Sequence, residues 1–148
     1  KNNPPILSLA AVATVLLLAP AAHATDYQVK LVNAGSQGMM AFEPGFMKVK
    51  PGDSIRLIPT DQGHAVDSID GMAPAGAAPV HRVMGKETVI KFTKAGLYGF
   101  KCNPHLGFGM VMLVEVGSAG NLAQVQAAAA KMPPMVKKRL AADLAQVK

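Results

Sequence analysis

Thiols, aromatics and charge are all scarce in this chain. Cys102 is the single cysteine among 148 residues, which excludes an internal disulfide framework and any zinc site built from several thiolates. There is no Trp, and the five Phe and two Tyr are nowhere interleaved with Lys or Arg clusters as single-strand binding demands, so nucleic acid is not expected as a partner. Charged residues reach only 16 % while half of the chain is hydrophobic, which excludes a disordered polyelectrolyte. The length suits one compact domain and leaves no room for a second, catalytic one. What charge there is leans basic: 15 Lys and Arg against 9 Asp and Glu give +6.

Long apolar runs are also rare, and the one present lies near the start. No charged residue occurs from Asn2 to Thr25; Ile6 to Ala19 is continuously rich in Leu, Ala, Val and Ile, and Pro20 leads to Ala22-His23-Ala24. A basic start, a short apolar stretch and a small-x-small site are the parts of a secretory signal, whereas a membrane span needs about 20 apolar residues. Residues 1–24 are therefore expected to be a cleaved signal peptide whose upstream end lies before Lys1. The mature form is then a small, basic, soluble domain outside the cytoplasm with no membrane anchor, since a lipid anchor would need a cysteine at the new N-terminus.

Residues 25–117 read as β-structure. Tyr27, Val29 and Leu31 alternate with more polar neighbours up to Asn33-Ala34-Gly35, and further strands fall at Met39–Phe42, Phe46–Lys50, Ile55–Pro59, Thr88–Phe92, Leu97–Lys101 and Val111–Val116, divided by Pro-Gly and Gly turns. Residues 60–85 lack periodicity and read as a long loop region with one irregular strand near Val66–Ile69. Seven or eight short strands at this spacing predict an antiparallel sandwich or barrel. Residues 118–148 change character and predict two helices packed on the β core. Asn121 is placed as the first N-cap, with Leu122, Val125 and Ala129 on one face; after Met132-Pro133-Pro134 a second stripe follows at Val136, Leu140, Leu144 and Val147. Lys131, Lys137, Lys138 and Arg139 read as a solvated face.

The chemistry is concentrated in Cys102-Asn103-Pro104-His105-Leu106-Gly107-Phe108-Gly109-Met110, a loop between two strands that carries thiol, imidazole and thioether within nine residues. Two His, one Cys and a long axial Met form the donor set of blue-copper electron-transfer sites; zinc rarely takes Met, and iron-sulfur clusters need more cysteines. A second imidazole must come from elsewhere. His23 leaves with the signal; His64, just beyond a strand end, is better placed than His81, which lies further along the irregular region, and the choice between them awaits the fold. Met110 sits beside Gly107 and Gly109, which allow the backbone to bend toward a metal, whereas Met112 reads as core. Other readings of the same residues are an open copper carrier or chaperone, which the Gly- and Pro-shaped loop argues against, and a thiol hydrolase using Cys102 and His105. The second is disfavoured because a base only three residues from its nucleophile lacks an independent element to position it.

The sequence resembles the cupredoxins, and among them it is similar to the pseudoazurin family. Cys-x-Pro-His with Gly-Met following, the upstream Gly63-His64-x-Val66, Phe42-Glu43-Pro44, Pro51-Gly52-Asp53 and the two terminal helices occur in that family's order. The resemblance implies an all-β, eight-stranded Greek-key sandwich with two C-terminal helices and one type 1 copper per chain, bound by His64, Cys102, His105 and Met110. It also implies a monomeric periplasmic electron carrier rather than an enzyme, with a nitrite reductase or related denitrification enzyme of acidic surface as partner. Met40 matches a family Met that contacts the exposed imidazole. One departure stands out: relatives usually have Asn after the first His, where this chain has Ala65, so a side-chain bond to the Cys loop is expected to be lost unless Asn103 supplies one locally.

Overall fold

The computed structural model describes residues 23–148; the apolar run that carries the signal-peptide reading lies outside them. Nine strands and two helices follow in order: β1 (Asp26–Gly35), β2 (Gly38–Glu43), β3 (Phe46–Val49), β4 (Ser54–Pro59), β5 (Ala65–Ser68), β6 (Val83–Met84), β7 (Thr88–Lys91), β8 (Gly96–Lys101), β9 (Val111–Val116), α1 (Leu122–Ala129) and α2 (Pro134–Leu144). They form two sheets, β2-β1-β4-β7 and β3-β9-β8-β5-β6. The expected sandwich is present. Its ninth strand is only the two-residue β6, which pairs with β5 inside the stretch read as loop.

Not every pair is antiparallel. β1 runs parallel to β4 and β3 parallel to β9, because the chain leaves the first sheet after β2, adds β3 to the second, and returns at Pro51-Gly52-Asp53 to lay β4 beside β1. The Asp53 carboxylate fixes that return by accepting hydrogen bonds from the Thr25 and Lys50 amides, both at 2.8 Å, and these bonds hold it below its ordinary pKa against a smaller opposing effect of burial.

Two apolar clusters explain the hydropathy patterns. One fills the space between the sheets with Val29, Leu31, Phe42, Ile55, Leu57, Phe92, Phe100, Met112 and Val114. The other lies on the outer face of the second sheet, where Leu97, Val111 and Leu113 meet Val125, Val136 and Leu140 of the helices. Covered on both faces, β9 buries all six of its residues, so Val111–Val116 is apolar at every position but one and does not alternate. Its one charge, Glu115, is paired with Lys48 Nζ at 2.9 Å.

The helical tail differs from its expected form in two places. Asn121 sits at the start of α1 but makes no side-chain cap there; it accepts from the Leu97 amide at 2.7 Å and donates to the Leu97 carbonyl at 3.0 Å, continuing the edge of β8 and tying the tail to the sheet. Arg139 is not solvated. The buried residues of α2 are Val136, Arg139, Leu140 and Asp143, an i, i+3, i+4, i+7 stripe that holds two charged groups.

Asp143 is fully buried. Burial raises its carboxyl to about 7, against smaller opposing effects of the Gln37 hydrogen bond and the Arg139 charge. Gln37 Nε2 donates to Asp143 Oδ1 at 2.8 Å, while Gln37 Oε1 and Asp143 Oδ2 are buried without partners. A protonated carboxyl supplies the donor missing from this pair of acceptors. Between about pH 4 and 7 the folded chain holds this proton and the unfolded chain does not, so this group costs up to about 1.4 kcal/mol of stability per unit rise in pH. Asp143→Asn, neutral throughout and still able to donate, should gain on the parent as pH rises from 5 to 8 in urea unfolding; a constant difference between the two proteins would contradict this.

Candidate metal centre

The ends of four strands meet at one pole of the sandwich. The strand β8 stops at Lys101, Cys102 follows, and residues Asn103–Phe108 form a 3₁₀ turn with Pro104 in its first turn before β9 begins at Val111. The loop is closed by its own backbone: the Cys102 amide donates to the Met110 carbonyl at 3.0 Å, the His105 amide to the Cys102 carbonyl at 3.1 Å, and the Met110 amide to the His105 carbonyl at 3.3 Å. His64 enters from the segment before β5, and Asn33 from the end of β1.

His64, Cys102 and His105 are brought together, each offering a donor atom within 4.8 Å of the others. Cys102 Sγ is 3.9 Å from His64 Nδ1 and 3.5 Å from His105 Nδ1. The two imidazoles meet edge-on with centroids 4.9 Å apart. His64 and Cys102 are fully buried and His105 is partly exposed. Met110 is also fully buried, and its bonds to Cys102 and His105 hold its backbone against both. Met112 belongs to the core between the sheets. His81 is exposed on the surface and takes no part in the cluster, so of the two histidines His64 is the one beside the sulfur.

The surroundings suit a metal bound through nitrogen and sulfur. Asn33 Oδ1 lies 3.1 Å from His64 Nε2, so Nε2 carries the proton and Nδ1, on the sulfur side, keeps its lone pair free. Burial, helped by the neighbouring His105, lowers the His64 pKa and favours this neutral form. Burial raises the Cys102 thiol; the Ala65 and His105 amides facing the sulfur act against that rise, and the Asp67 charge adds to it. The donors are soft or borderline, with no carboxylate among them, a set that fits copper.

Asn33 is a site residue that the sequence reading missed: it appeared only as a turn former, and nothing local links it to a histidine 31 positions away. At Ala65, where no side chain can bond the Cys loop, the backbone still reaches it. The Ala65 backbone N–H donates to Cys102 Sγ at 3.3 Å, a bond that needs no particular side chain. Asn103 makes no side-chain bond to the site among the described residues and lines a surface cleft with Pro104, Ala65, Arg82 and Met84. The expected glycine pair divides. Gly109 has φ 78° in the left-handed region, while Gly107 does not need it.

At the rim, Phe108 stacks edge-on against His105 at 6.3 Å and is 45 % exposed, whereas Leu106 packs into the helix cluster. Met39, Met84 and Met135 are the exposed methionines of the molecule. Met135 backs onto Gly109, and Met84 shares the cleft with Pro104, so two of them lie beside the loop. No helix among the described residues is long and apolar enough to cross a membrane.

Residues 29–117 match the family described as copper binding proteins, plastocyanin/azurin family. The chain is 54 % identical over 107 residues to a pseudoazurin of Methylorubrum extorquens, covering 72 % of this chain and 70 % of the relative. It is 43 % identical over 141 residues to a pseudoazurin of Paracoccus pantotrophus, covering 95 % and 97 %. The crystal structure of pseudoazurin from Methylobacterium extorquens AM1 superposes with a TM-score of 0.77 at 46 % identity over 83 % of this chain and 99 % of that one. The pseudoazurin from Hyphomicrobium denitrificans gives 0.77 at 41 % over 83 % and 98 %. With a nitrogen-sulfur donor cluster at the pole of such a sandwich, the chain belongs to the pseudoazurins, copper-binding electron carriers of the plastocyanin/azurin family.

Proposed function

We propose that this chain is a periplasmic one-electron carrier in which His64, Cys102, His105 and Met110 hold a single type 1 copper. We further propose that it donates electrons to an acidic-surfaced redox enzyme such as a nitrite reductase. The observation that supports it most is the meeting of two imidazoles and one thiol, from stretches 38 residues apart, with His64 already in the tautomer that frees Nδ1. Bound copper supplies the Cu(II)/Cu(I) couple. The residues around the sulfur suit such an ion. Cys102 would give up its proton on binding copper, and the Ala65 and His105 amides beside the sulfur would bond the charge left on it. The backbone bonds of the 102–110 loop fix the donors, so little rearrangement accompanies a change of one charge. Pro104 holds the first turn of the loop with a fixed φ and offers no competing amide.

Only His105 of the three clustered donors reaches solvent, so its imidazole edge is the contact for a partner, with Phe108 beside it. Arg82 flanks the Asn103-Pro104 side of the pole, and Lys138 lies beside Met135. Positive charge on both flanks suits an acidic partner. Its association rate should fall as salt rises, the Debye length being about 8 Å at physiological ionic strength. Stopped-flow rates that ignore ionic strength would remove electrostatic steering.

The alternatives have weaker support. A carrier that exchanges its ion needs open donors, and two of the three here are fully buried. A hydrolase needs an accessible thiolate, whereas burial raises the Cys102 thiol. Export rests on the apolar run and the Ala22-His23-Ala24 site; fractionation that finds the chain in the cytoplasm overturns it. The optical and EPR spectrum of the copper-loaded protein tests the centre itself. An intense visible thiolate band with a small copper hyperfine splitting is expected, and a colourless protein defeats the reading.

A further inference from the structure

Arg139 is a guanidinium 7 % exposed on a helix that contributes none of the donors. Its Nη1 donates to the Met40 carbonyl at 2.6 Å and to the Gly109 carbonyl at 3.2 Å, and its Nη2 donates to the Met39 carbonyl at 2.6 Å. One planar fork thus spans two segments nearly seventy residues apart in the chain.

Those two segments flank the centre. Gly109 precedes Met110 and closes the loop of Cys102 and His105. Met40 lies in β2 facing β1 between the registered pairs Val32↔Ala41 and Ala34↔Met39, which puts it opposite Asn33, the residue that orients His64. Both grasped positions have unusual backbone: Gly109 at φ 78° and Met40 at φ 52°, a conformation that costs a residue with a Cβ. Carbonyls turned out of the ordinary ladder need donors, and a buried arginine supplies them together. The charge is costly to bury, and burial lowers the Arg139 pKa against the opposing attraction of Asp143, the acidic residue one turn further along α2. An arginine kept in such a place for packing alone could be replaced by an apolar side chain at little loss.

We propose that Arg139 is a positioning residue of the metal centre: by holding the carbonyls of Met39, Met40 and Gly109 it sets the strand that orients His64 against the loop that carries Cys102, His105 and Met110. Its consequence for copper rests on the ligand assignment above, whereas the clamp itself can be tested without metal. In the metal-free protein, Arg139→Met should accelerate amide hydrogen exchange at Cys102, Gly109 and Met110 by tenfold or more while the amides of β4 and β7 keep their protection. In the copper-loaded protein, the same variant should release copper to a chelator about 10- to 100-fold faster, the range typical when a partner of a metal ligand is lost, and its reduction potential should move. Arg139→Lys, which keeps the charge but cannot fork to three carbonyls, should lie between the two and serves if the Met variant does not fold. Uniform loss of protection across both sheets, with copper release and potential as in the parent, would show a merely structural arginine and overturn the proposal. Local exchange at the loop together with failure to bind copper in the parent would uphold the clamp and sink the ligand assignment instead.

Discussion

Cys102→Ser loses the intense visible absorption of the copper-loaded protein altogether. The band is a charge transfer from thiolate sulfur to copper, and this chain has one sulfur of that kind, so no second cysteine can stand in. Serine keeps the size of the side chain within a few tenths of an ångström and leaves the Ala65 amide a partner, so folding should survive; the parent thiol is fully buried in any case. Met110→Gln provides the graded companion. A weak axial donor is exchanged for another weak donor, so the colour should persist and the reduction potential should shift. Absorption spectra and voltammetry of the two variants separate the roles: a coloured Cys102→Ser protein, or an unmoved potential in Met110→Gln, removes the corresponding residue from the donor set.

Gly109→Ala should lower the stability of the domain by about 2–4 kcal/mol. Two independent costs combine. The residue has φ 78°, where a Cβ is strained by about 1 kcal/mol. The added carbon would also lie 2.7 Å from the Met135 carbonyl oxygen, a backbone atom that cannot swing aside, and such overpacking adds about 1–3 kcal/mol. Relief requires α2 to move off the loop, which would also loosen the Arg139 bond to the Gly109 carbonyl. Gly107→Ala is the internal control. A carbon added there meets no atom within 4 Å, so the change should stay within about 0.5 kcal/mol of the parent. Thermal or urea unfolding of both variants checks the pair, and equal losses would mean that general loop flexibility matters and the contact with α2 does not.

These two glycines mark the border between what could be read from the chain and what required its fold. Both were legible as hinge residues, because Gly between His105 and Met110 is a local signal. The left-handed turn falls on Gly109 where the 3₁₀ turn ends, and whether either position could accept a Cβ depends on a helix more than twenty residues downstream. The same division runs through the rest. Strands with period two, the Pro-Gly turns and the Cys-x-x-His-x₄-Met spacing are properties of short windows, so local chemistry alone determined the β class, the helical tail and three of the proposed ligands. The apolar stretch Val111–Val114 of β9 is likewise visible, whereas the burial of Glu115 within that strand is not.

Relations between distant segments were invisible. The parallel pairs β1·β4 and β3·β9 arise from chain crossings between sheets, which leave no mark on hydropathy. The sequence favours His64 over His81 only by its place just beyond a strand end, and the fold brings the first to the sulfur and leaves the second in solvent. Asn33 reads as a turn, Asn121 as a cap and Arg139 as surface, because the local rule for each type describes its commonest environment. Tertiary contact reassigned all three: to an imidazole, to a strand edge and to three carbonyls. The chain by itself therefore determined the donor chemistry and the architecture that can hold it. Only the packed structure decided how those donors are aimed, since orientation depends on hydrogen bonds between groups that are 30 to 100 residues apart along the backbone.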